Sequence, residues 1–254
     1  MDFTKAFDTV DHSILLDKLD HYGFRGHTQK FFKSYLTNRY QYTHINGVQS
    51  DIKEITCGVP QGSVLGPIMF LIYVNDLHLS VNNCSTRLFA DDTCLSLHHD
   101  NISQLNSIAK TNFTLFADWC ECNKLTINYS KTNFILFHAK NKRIPDDFNK
   151  LEINGNTIKR VVSTKYLGLI IDEKLSWNEH TTYVYNSLLK YYGIFNRIKY
   201  FVNKNVVRQL YFAFIYSRKK YGIEVYGSCA NCQIHKLQVI HFCIILFFLW
   251  KQYT

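Results

Sequence analysis

The sequence has little glycine and proline, with 11 and 3 of its 254 residues. That scarcity excludes collagen-like chains and chains dominated by flexible linkers. Apolar residues make up 46% of the sequence and charged residues only 19%, a balance that argues against disorder. The strongest apolar run, from Val239 to Trp250, has about 12 residues, and a membrane-spanning helix needs about 20. The composition indicates a globular protein, and the apolar run suits a core helix.

The first residues are polar and acidic and carry none of the apolar stretch of a signal peptide. We therefore expect an intracellular protein, in the nucleus or the cytoplasm, that is not secreted and has no membrane partner. The eight cysteines lie mostly in apolar or strand-like stretches, where a reduced, buried thiol is the usual state. Cys229 and Cys232, with His235 and His241, have part of the spacing of a zinc site. Buried thiols are the favoured interpretation because the segment is otherwise apolar.

The positive charge is concentrated at one end of the sequence. Residues 1–180 contain 19 Lys+Arg and 19 Asp+Glu, whereas residues 181–254 contain 10 Lys+Arg and a single acid, Glu224. The whole net charge of +9 therefore comes from the last part of the chain. A neutral body with a basic end is typical of proteins that bind a polyanion, most often nucleic acid. A solvated basic face without a partner is the alternative that charge alone leaves open.

Hydrophobic patterning and turn signals predict an α+β protein. The predicted elements are helices after Asp11 and after Thr28, a hairpin at Asn46-Gly47, a buried helix over 68–77, two short strands around Asp91-Asp92, a helix over 101–122, and strands over 134–137 and 166–171. The predicted apolar stripe of the long helix is Leu105, Ile108, Leu115 and Trp119, interrupted by Asn112. From about 176 the pattern is helical. We therefore expect an antiparallel sheet with helices on one face, then a helical, basic domain, with a boundary near 173–180.

Two adjacent carboxylates, Asp91 and Asp92, stand where two apolar strands meet. Adjacent carboxylates repel each other and are costly to desolvate, and a divalent cation at the turn would offset both effects. Mg²⁺ takes oxygen ligands, usually one or two carboxylates together with substrate phosphates. An exposed acidic turn is the alternative, and it is the commoner explanation of an Asp-Asp pair taken alone. Asp2, near another predicted strand, adds a third carboxylate for two-metal phosphoryl transfer if the strands converge on one sheet.

A loop punctuated by glycine and proline reads GVPQGSVLGP from Gly58 to Pro67. Glycine lets the backbone approach a ligand closely, and the amide of Gln61 can hydrogen-bond a base or a sugar edge. Taken by itself, the same pattern also fits any turn that leads from a strand into a helix. The loop is therefore a candidate ligand-binding segment whose meaning depends on its neighbours.

Five motifs occur in the order DFTKAFDTVDH, GVPQGSVLGPIMFLIYVNDL, FADD, LTINYSKT and KYLGLIID. Together they resemble the reverse transcriptase domain of non-LTR retrotransposons of the LINE type, and of jockey-like elements in particular. The resemblance covers about residues 1–175, and the stretch from Leu210 to Gly227 is similar to the region that follows the palm in this family. It implies a right-hand polymerase palm over 1–175 and a helical, basic, thumb-like or connection region over 176–254 with an atypical apolar end.

The resemblance also implies the activity. It indicates an RNA-directed DNA polymerase, a nucleotidyltransferase that joins a dNTP to the 3′-OH of a DNA primer on an RNA template. Two Mg²⁺ ions, or Mn²⁺ in their place, are the implied cofactors. The family's metal-binding and catalytic carboxylates correspond to Asp2, Asp91 and Asp92 of this sequence. Lys131, in the YSKT stretch, matches a lysine that helps to protonate the leaving pyrophosphate.

The remaining matches concern the nucleotide and the nucleic acid. Phe7 matches the aromatic residue that packs under the incoming sugar and excludes a 2′-OH. The loop that lines the nucleotide and template pocket corresponds to Pro60, Gln61 and Gly62, and the primer-grip hairpin corresponds to Tyr166, Leu167 and Gly168. The basic residues expected to follow the phosphates of the duplex are Lys190, Arg197, Lys199, Lys204 and Arg208.

This family also has a fingers region before the first motif and an endonuclease domain, and neither is recognisable in the 254 residues. We therefore expect a fragment of a longer enzyme, with little or no polymerase activity of its own. The alternative is a catalytically inactive remnant that binds nucleic acid.

Overall fold

The computed structural model describes residues 1–139, 144, 148–198 and 200–250, with the backbone alone for 246–250. It consists of helices and small sheets that form two compact units. The first unit comprises Met1–Phe134 and Pro145–Arg160, and the second comprises Ile135–Ile144 and Val161–Thr254. Each unit has its own cluster of buried apolar side chains. The predicted mixture of helices and strands is confirmed.

The first unit opens with a 3₁₀ turn over Ala6–Asp8 and two helices, α1 over His12–His21 and α2 over His27–Leu36. As predicted, Asp11 begins α1, because its side chain accepts hydrogen bonds from the backbone N–H groups of Ser13 and Ile14. Leu15 and Leu19 are fully buried. The apolar stripe of α1 therefore packs into the core of the first unit.

Four short strands follow α2, namely β1 Tyr40–Gln41, β2 His44–Ile45, β3 Val48–Gln49 and β4 Lys53–Glu54. β1 pairs with β4 and β2 with β3, both antiparallel, and every residue of these strands is exposed. The predicted turn at Asn46-Gly47 is confirmed. Its φ angles are 49° and 82°, left-handed values that a two-residue hairpin turn requires and that these residue types adopt readily.

The middle of the first unit contains α3 Leu65–Val74, α4 Leu77–Ser80, β5 Ser85–Phe89, β6 Asp92–Ser96 and α5 Ile102–Cys122. β5 and β6 pair antiparallel, from Ser85 opposite Ser96 to Phe89 opposite Asp92. The two strands predicted around the Asp-Asp pair are therefore confirmed. The predicted buried helix begins and ends three residues earlier than expected, and α4 follows it as a separate turn of helix.

The buried face of α5 differs from the predicted stripe. Its fully buried residues are Asn112, Phe113, Phe116 and Cys120, whereas Leu105, Ile108, Leu115 and Trp119 are only partly buried. Phe113 and Phe116 lie with their ring centres 5.5 Å apart, and burying such large rings outweighs burying the neighbouring aliphatic side chains. Asn112 is tolerated there because its amide accepts from the N–H of Asn82 at 2.8 Å and donates to the carbonyl of Ile108 at 3.0 Å.

A three-stranded sheet completes the first unit. Its strands are β7 Asn133–Phe134, β8 Lys150–Ile153 and β9 Asn156–Arg160, in the order β7-β9-β8. β8 and β9 form the hairpin expected around Asn154-Gly155, but β7 pairs with β9 in parallel. The expectation of antiparallel pairing throughout is therefore wrong for this sheet. Among the described residues the other strands pair two by two.

The second unit contains an antiparallel hairpin, β10 Ser163–Tyr166 and β11 Leu169–Asp172. Its helices are α6 Asn178–Ile198, α7 Lys204–Leu210, α8 Ser217–Lys220, α9 Ile223–Tyr226 and α10 Asn231–Trp250, with a π-helical segment over Tyr211–Tyr216. Leu188 of α6 and Ile244 of α10 are fully buried. The helical pattern predicted from about 176 is confirmed, and the apolar run near the end belongs to α10. The expectation of a core helix holds only in part, because Ile240 and Ile244 are buried whereas Val239 and Phe242 are 47% and 59% exposed.

The compact units divide after Arg160, earlier in the chain than the boundary predicted near 173–180. The β10–β11 hairpin groups with the helices because it packs on α6, where the N–H of Ile170 donates to Nδ1 of His180 at 3.3 Å. The assignment of residues 1–175 as a palm and 176–254 as a thumb-like region stays a prediction.

Two further findings concern thiols and apolar helices. Cys120 and Cys229 are buried, but Cys57, Cys122 and Cys232 are exposed, so the expectation of mostly buried thiols is wrong. In the part of the chain that the structure describes, we find no helix with the length and apolar character needed to cross a bilayer.

Candidate active site

The segment Met1–Thr4 lies between two other extended segments of the first unit. The backbone of Met1 exchanges two hydrogen bonds with Thr93 of β6, at 2.7 and 3.2 Å. On the other side, Phe3 pairs antiparallel with Ile127, and backbone hydrogen bonds of 2.8 and 2.9 Å flank that pair. The first motif is therefore held by backbone pairing to both the third and the fourth motif.

This pairing brings Asp2 beside the segment that contains Asp91 and Asp92. Partners in an antiparallel ladder advance in opposite directions, so a ladder that continues past Met1 and Thr93 sets Asp2 opposite Asp92, on the same face. Asp91 lies next to Asp92, in the two-residue turn between β5 and β6. Asp2 and Asp91 are half-buried and Asp92 is exposed. The three carboxylates predicted as metal ligands thus lie on neighbouring strand ends.

Lys131 and Asn128 contact the carboxylate of Asp2. Nζ of Lys131 lies 3.3 Å from Oδ2 of Asp2, and Nδ2 of Asn128 donates to the same oxygen at 3.3 Å. The backbone N–H of Asp2 donates to the hydroxyl of Thr132 at 3.4 Å. The sequence predicted Lys131 but not Asn128 or Thr132, although all three belong to the LTINYSKT motif. The position of Lys131 within that motif gave no sign of which carboxylate it would meet.

The chemistry of these donors suits a divalent cation. In the described residues, no three His, Cys, Asp or Glu side chains stand close enough to form a metal site by themselves. Mg²⁺ does not need such a cage, because it commonly binds one or two carboxylates and completes its octahedron with water and substrate phosphates. Asp2 and Asp91, half-buried on adjacent segments, offer carboxylate oxygens of that kind. The residues present therefore fit Mg²⁺ or Mn²⁺ held jointly with a phosphate-bearing substrate.

The loop that begins at Gly58 packs directly on the first motif. The N–H of Gly58 donates to the carbonyl of Val10 at 2.7 Å, and the N–H of Val59 donates to the carbonyl of Phe7 at 2.8 Å. Gly58 has φ 86°, and a Cβ at this position would lie 2.9 Å from the carbonyl oxygen of Asp8. Only glycine accommodates that backbone angle and that close approach together.

Gln61 and Asp8 link the same two segments through their side chains. Nε2 of Gln61 donates to Oδ1 of Asp8 at 2.7 Å. Phe7, in the 3₁₀ turn beside Asp8, is half-buried with its ring centre 4.6 Å from that of Phe70 on α3. The sequence singled out Phe7 and Gln61 but missed Asp8. The predicted nucleotide-binding residues Phe7 and Gln61 therefore belong to one packed unit.

The rest of the loop is closed by hydrogen bonds around Pro60. The hydroxyl of Ser63 donates to the carbonyl of Pro60 at 2.7 Å and accepts from the N–H of Gly66 at 2.9 Å. A Cβ at Gly66 would lie 2.8 Å from the same carbonyl oxygen. Gly62, with φ 79°, is exposed at the tip of the loop. Ser63 and Gly66 were not predicted, although both fall inside the quoted GVPQGSVLGP motif.

The predicted primer-grip residues form the turn of the β10–β11 hairpin in the second unit. Tyr166 pairs with Leu169, so Leu167 and Gly168 are the two turn residues, with φ 45° and 82°. The hydroxyl of Tyr221 donates to the carbonyl of Leu167 at 2.6 Å. A Cβ at Gly168 would lie 3.1 Å from the Tyr221 ring. The sequence expected a strand from 166 to 171, whereas a turn interrupts it, and it did not predict Tyr221.

The basic residues predicted to meet a duplex are exposed wherever they are described. Lys190 and Arg197 lie on α6, and Lys204 and Arg208 lie on α7. Lys190 and Arg197 are seven residues apart, which is close to two turns of helix, so both lie on one side of α6. The guanidinium of Arg208 is 5.9 Å from the centre of the Phe212 ring. Lys199 lies outside the described residues.

A second ion pair joins the end of the first motif, at the start of α1, to Lys124 just after α5. Nζ of Lys124 lies 2.6 Å from Oδ2 of Asp11. Partial burial by itself raises the pKa of Asp11, but hydrogen bonds from Lys124, Ser13 and the N–H of Ile14 outweigh it and hold that pKa well below its ordinary value. The carboxylate therefore stays ionised and the cap of α1 stays intact in mildly acidic solution.

Comparisons with known proteins show the family to which the chain belongs. The family described as reverse transcriptase (RNA-dependent DNA polymerase) matches residues 1–171. The chain is 26% identical to the RNA-directed DNA polymerase from mobile element jockey of Drosophila melanogaster, over 94% of this chain and 27% of that protein. It is 27% identical to the corresponding jockey protein of Drosophila funebris, over the same shares. A retrovirus-related Pol polyprotein from type-1 retrotransposable element R2 of Popillia japonica is 29% identical over 66% of this chain and 30% of its own length.

The family match, over residues 1–171, covers more than half of the sequence and defines the class of protein as a polymerase domain. The chain belongs to the reverse transcriptase (RNA-dependent DNA polymerase) family. The resemblance to jockey-like elements inferred from the five motifs is confirmed by the relatives. The chain spans about a quarter of the length of the jockey relatives that it matches.

Proposed function

We propose that this chain is the catalytic region of a retrotransposon RNA-directed DNA polymerase. It adds deoxynucleotides to the 3′-OH of a DNA primer along an RNA template. The observation that supports the proposal is the pairing of Met1 with Thr93, because it brings the segment of Asp2 beside the strand that begins at Asp92 and the turn that contains Asp91. Carboxylates in such an arrangement suit phosphoryl transfer assisted by metal ions. Membership of the reverse transcriptase family supports the same reaction.

The two parts of the chain have separate tasks in this proposal. Residues 1–175 act as the palm and residues 176–254 as a thumb-like or connection region. Four of the five motifs lie in the first compact unit, and the basic helices lie in the second. The carboxylates of the catalytic part suit positively charged metal ions. The basic helices suit the negatively charged phosphates of nucleic acid.

In the reaction, the 3′-hydroxyl of the primer loses its proton to water, its oxygen forms a bond to the α-phosphorus of the dNTP, and the bond from that phosphorus to pyrophosphate breaks. Asp2 and Asp91 would hold the metal, with Asp92 at the periphery. Two Mg²⁺ ions, or Mn²⁺, bound there would supply the positive charge that offsets the charge on the attacking and leaving oxygens. Lys131, next to Asp2, donates a proton to the leaving pyrophosphate. Asn128 orients the carboxylate of Asp2 through their hydrogen bond.

The binding residues complete the proposal. Phe7 packs under the sugar of the incoming nucleotide and excludes a 2′-OH, while Pro60, Gln61 and Gly62 line the nucleotide and template pocket. The hydrogen bond from Gln61 to Asp8 fixes that loop on the first motif. Tyr166, Leu167 and Gly168 contact the primer. The phosphates of the duplex are contacted by five basic residues, namely Lys190, Arg197, Lys199, Lys204 and Arg208. Such an enzyme works inside the cell, in the nucleus or the cytoplasm.

Primer extension tests the proposal. The chain, joined to a reverse transcriptase fingers region ahead of its first motif, is incubated with a DNA primer annealed to an RNA template, Mg²⁺ and dNTPs, and compared with an Asp91→Asn, Asp92→Asn double variant of the same protein. We expect the double variant to extend the primer at least about a hundredfold more slowly, because a catalytic metal stabilises the transition state by several kcal/mol. The matched control removes two exposed acids of α5, Asp118→Asn with Glu121→Gln, and leaves extension unchanged.

A second readout tests metal binding without catalysis. Fe²⁺ with ascorbate, used in place of Mg²⁺, generates radicals that cut the backbone near bound metal. We expect cuts near residues 1–4 and 89–93 of the chain, and their loss in an Asp2→Asn, Asp91→Asn variant. Equal primer extension by the wild-type and double-variant chains contradicts the assigned carboxylates. Salt-sensitive binding of primer–template without any incorporation supports the alternative, a domain that binds nucleic acid but is inactive.

A further inference from the structure

Three planar side chains form a ladder on the surface of the first unit. The rings of Phe31 and Tyr35 stack with their centres 6.1 Å apart and an interplanar angle of 24°. The guanidinium of Arg39 lies 5.5 Å from the centre of the Tyr35 ring. Successive members are four residues apart, so they follow one side of α2 and continue just beyond its end. We call Phe31, Tyr35 and Arg39 the aromatic ladder.

The outer end of the aromatic ladder is open to solvent. Phe31 is 54% exposed, whereas its neighbour Phe32 is 7% exposed and belongs to the core. Phe32 and Leu36 already anchor α2 in the core, so packing of the helix does not require an aromatic residue at position 31. A half-exposed ring backed by a second ring and a guanidinium is suited to stacking against another flat group.

The aromatic ladder also lies in a stretch without acidic residues. Between Asp20 and Asp51 the sequence contains neither Asp nor Glu, and its cations are Arg25, Lys30, Lys33 and Arg39. Arg25 lies 3.7 Å from Asp20, which offsets its charge. Lys30 and Lys33 are exposed, and within the described part of the chain neither pairs with a carboxylate. The balanced charge of residues 1–180 therefore conceals a local cationic surface.

We propose that the aromatic ladder is a platform for single-stranded RNA, on which one base stacks against Phe31 while Lys30 and Lys33 contact neighbouring phosphates. Aromatic rings beside cations are the recurring means of holding unpaired strands, and guanidinium groups add to such stacks. A duplex keeps its bases stacked on one another, so it has no free base for Phe31. That this strand is the unpaired template rests on the proposed function, whereas the stacking itself needs no catalysis.

Fluorescence anisotropy tests the stacking contact. The full chain is titrated into a labelled, unstructured RNA of about 12 nucleotides, within the usual site size of single-strand binders, with EDTA and no dNTP. We expect Phe31→Ala to weaken binding about tenfold, a loss typical of one stacked base. Phe31→Leu, which keeps an apolar side chain without a π face, loses as much, and Phe31→Trp retains binding. The control Phe137→Ala, at a residue 53% exposed outside the ladder, leaves binding unchanged.

Salt dependence tests the phosphate contacts. We expect a Lys30→Gln, Lys33→Gln double variant to lower the slope of log K against log salt by about 1.4, since each phosphate contact on a single strand contributes about 0.7. The matched control is Lys110→Gln with Lys159→Gln, two exposed lysines of the same unit. This control keeps the slope of the wild-type chain.

Several outcomes overturn the inference. One is Phe31→Ala binding the RNA as tightly as the wild-type chain, and another is an equal loss for a duplex of the same sequence. If Phe31→Ala dissociates a dimer in sedimentation while RNA binding persists, the surface belongs to a second copy of the chain. The Asp91→Asn, Asp92→Asn variant should still bind the RNA. If primer extension fails but RNA binding still depends on Phe31, the proposed function is rejected and the single-stranded RNA platform is supported.

Discussion

Nζ of Lys131 lies 3.3 Å from Oδ2 of Asp2, which joins the fourth motif of the sequence to the first. The lysine side chain is 70% exposed and the aspartate 21% exposed. An ion pair with so exposed a partner contributes at most about 1 kcal/mol to folding. Stability alone therefore does not account for this contact, and an exposed lysine beside the carboxylate proposed to bind metal is well placed to meet a bound phosphate in the proposed reaction.

The first prediction concerns that lysine. We expect Lys131→Met to slow primer extension by about a hundredfold or more, as removal of a general acid does, with little change in primer–template affinity. Lys124→Met is the matched control, because Lys124 is 63% exposed and also paired with an aspartate of the first unit. Single-turnover rates measured over a range of pH check the prediction. Equal losses in the two variants would show that Lys131 acts only through folding.

The second prediction concerns the contact between the loop and the first motif. Gly58→Ala combines a left-handed backbone with a Cβ 2.9 Å from the carbonyl oxygen of Asp8, and we expect it to lower the free energy of unfolding by about 2–4 kcal/mol. Gly47→Ala is the control, since its φ is similar, at 82°, with nothing within 4 Å of the added Cβ. We expect it to cost only about 1 kcal/mol. Urea unfolding measures both, and equal costs contradict a role for Asp8.

The third prediction concerns the turn of the β10–β11 hairpin. Tyr221→Phe removes the hydroxyl that donates to the carbonyl of Leu167. We expect a loss of about 0.5–1.5 kcal/mol in the free energy of unfolding and faster hydrogen exchange at the amide of Gly168. Tyr216→Phe, at another partly exposed tyrosine of the same unit, is the control and leaves that exchange rate unchanged. Unchanged exchange in Tyr221→Phe means that the hydrogen bond does not hold the turn.

The fourth prediction concerns pH. His180 is 2% exposed, its Nδ1 accepts from the N–H of Ile170, and its ring packs 4.8 Å from that of Tyr226. Burial lowers the pKa of His180 below its ordinary value of 6.5. Below pH 6.5 the unfolded chain therefore binds a proton that the folded chain does not. The resulting stability is present above pH 6.5 and is lost as the pH falls, by at most about 1.4 kcal/mol per pH unit for this one group.

The comparison that checks it uses two histidine variants. His180→Asn keeps an acceptor near the position of Nδ1 but does not titrate, so it should flatten the fall in unfolding free energy between about pH 6.5 and 5. His235→Asn removes an exposed histidine of α10 and should leave the slope as in the wild-type chain. If the unfolding free energy of His180→Asn falls with pH as steeply as that of the wild-type chain, other groups cause the pH dependence. His241 is the first of these to examine, because burial lowers its pKa as well.

Local signals in the sequence predicted many of the elements. The cap at Asp11 and the turn at Asn46-Gly47 depend on residues next to one another, so their chemistry is visible in the sequence. The buried face of α5 was predicted in the wrong phase because its choice depends on which neighbours it meets. The ring centre of Phe116 lies 6.1 Å from that of Phe3. This contact joins distant parts of the chain, and hydrophobic periodicity within one helix does not reveal it.

The candidate site was likewise predicted only in part from the sequence. The order of the motifs indicated Asp2, Asp91 and Lys131 as site residues, and their roles stay predictions. Asp8 and Asn128 were not predicted, because each contacts the site through a residue far away in the sequence. Asp8 accepts a hydrogen bond from Gln61, and Asn128 donates one to Asp2. Neither residue type nor spacing marks such a pair before the backbone brings it together.

The sequence by itself determined the family, the motif order and the basic character of the second part of the chain, because all three are properties of residue identity. Only the tertiary structure decided that Met1–Thr4 pairs on both sides, with Thr93 and with Ile127, and that the aromatic ladder is exposed on the neutral part of the chain, residues 1–180. The physical reason is that strand pairing and side-chain exposure arise from long-range packing, which hydrogen bonds and burial select only once the chain is folded.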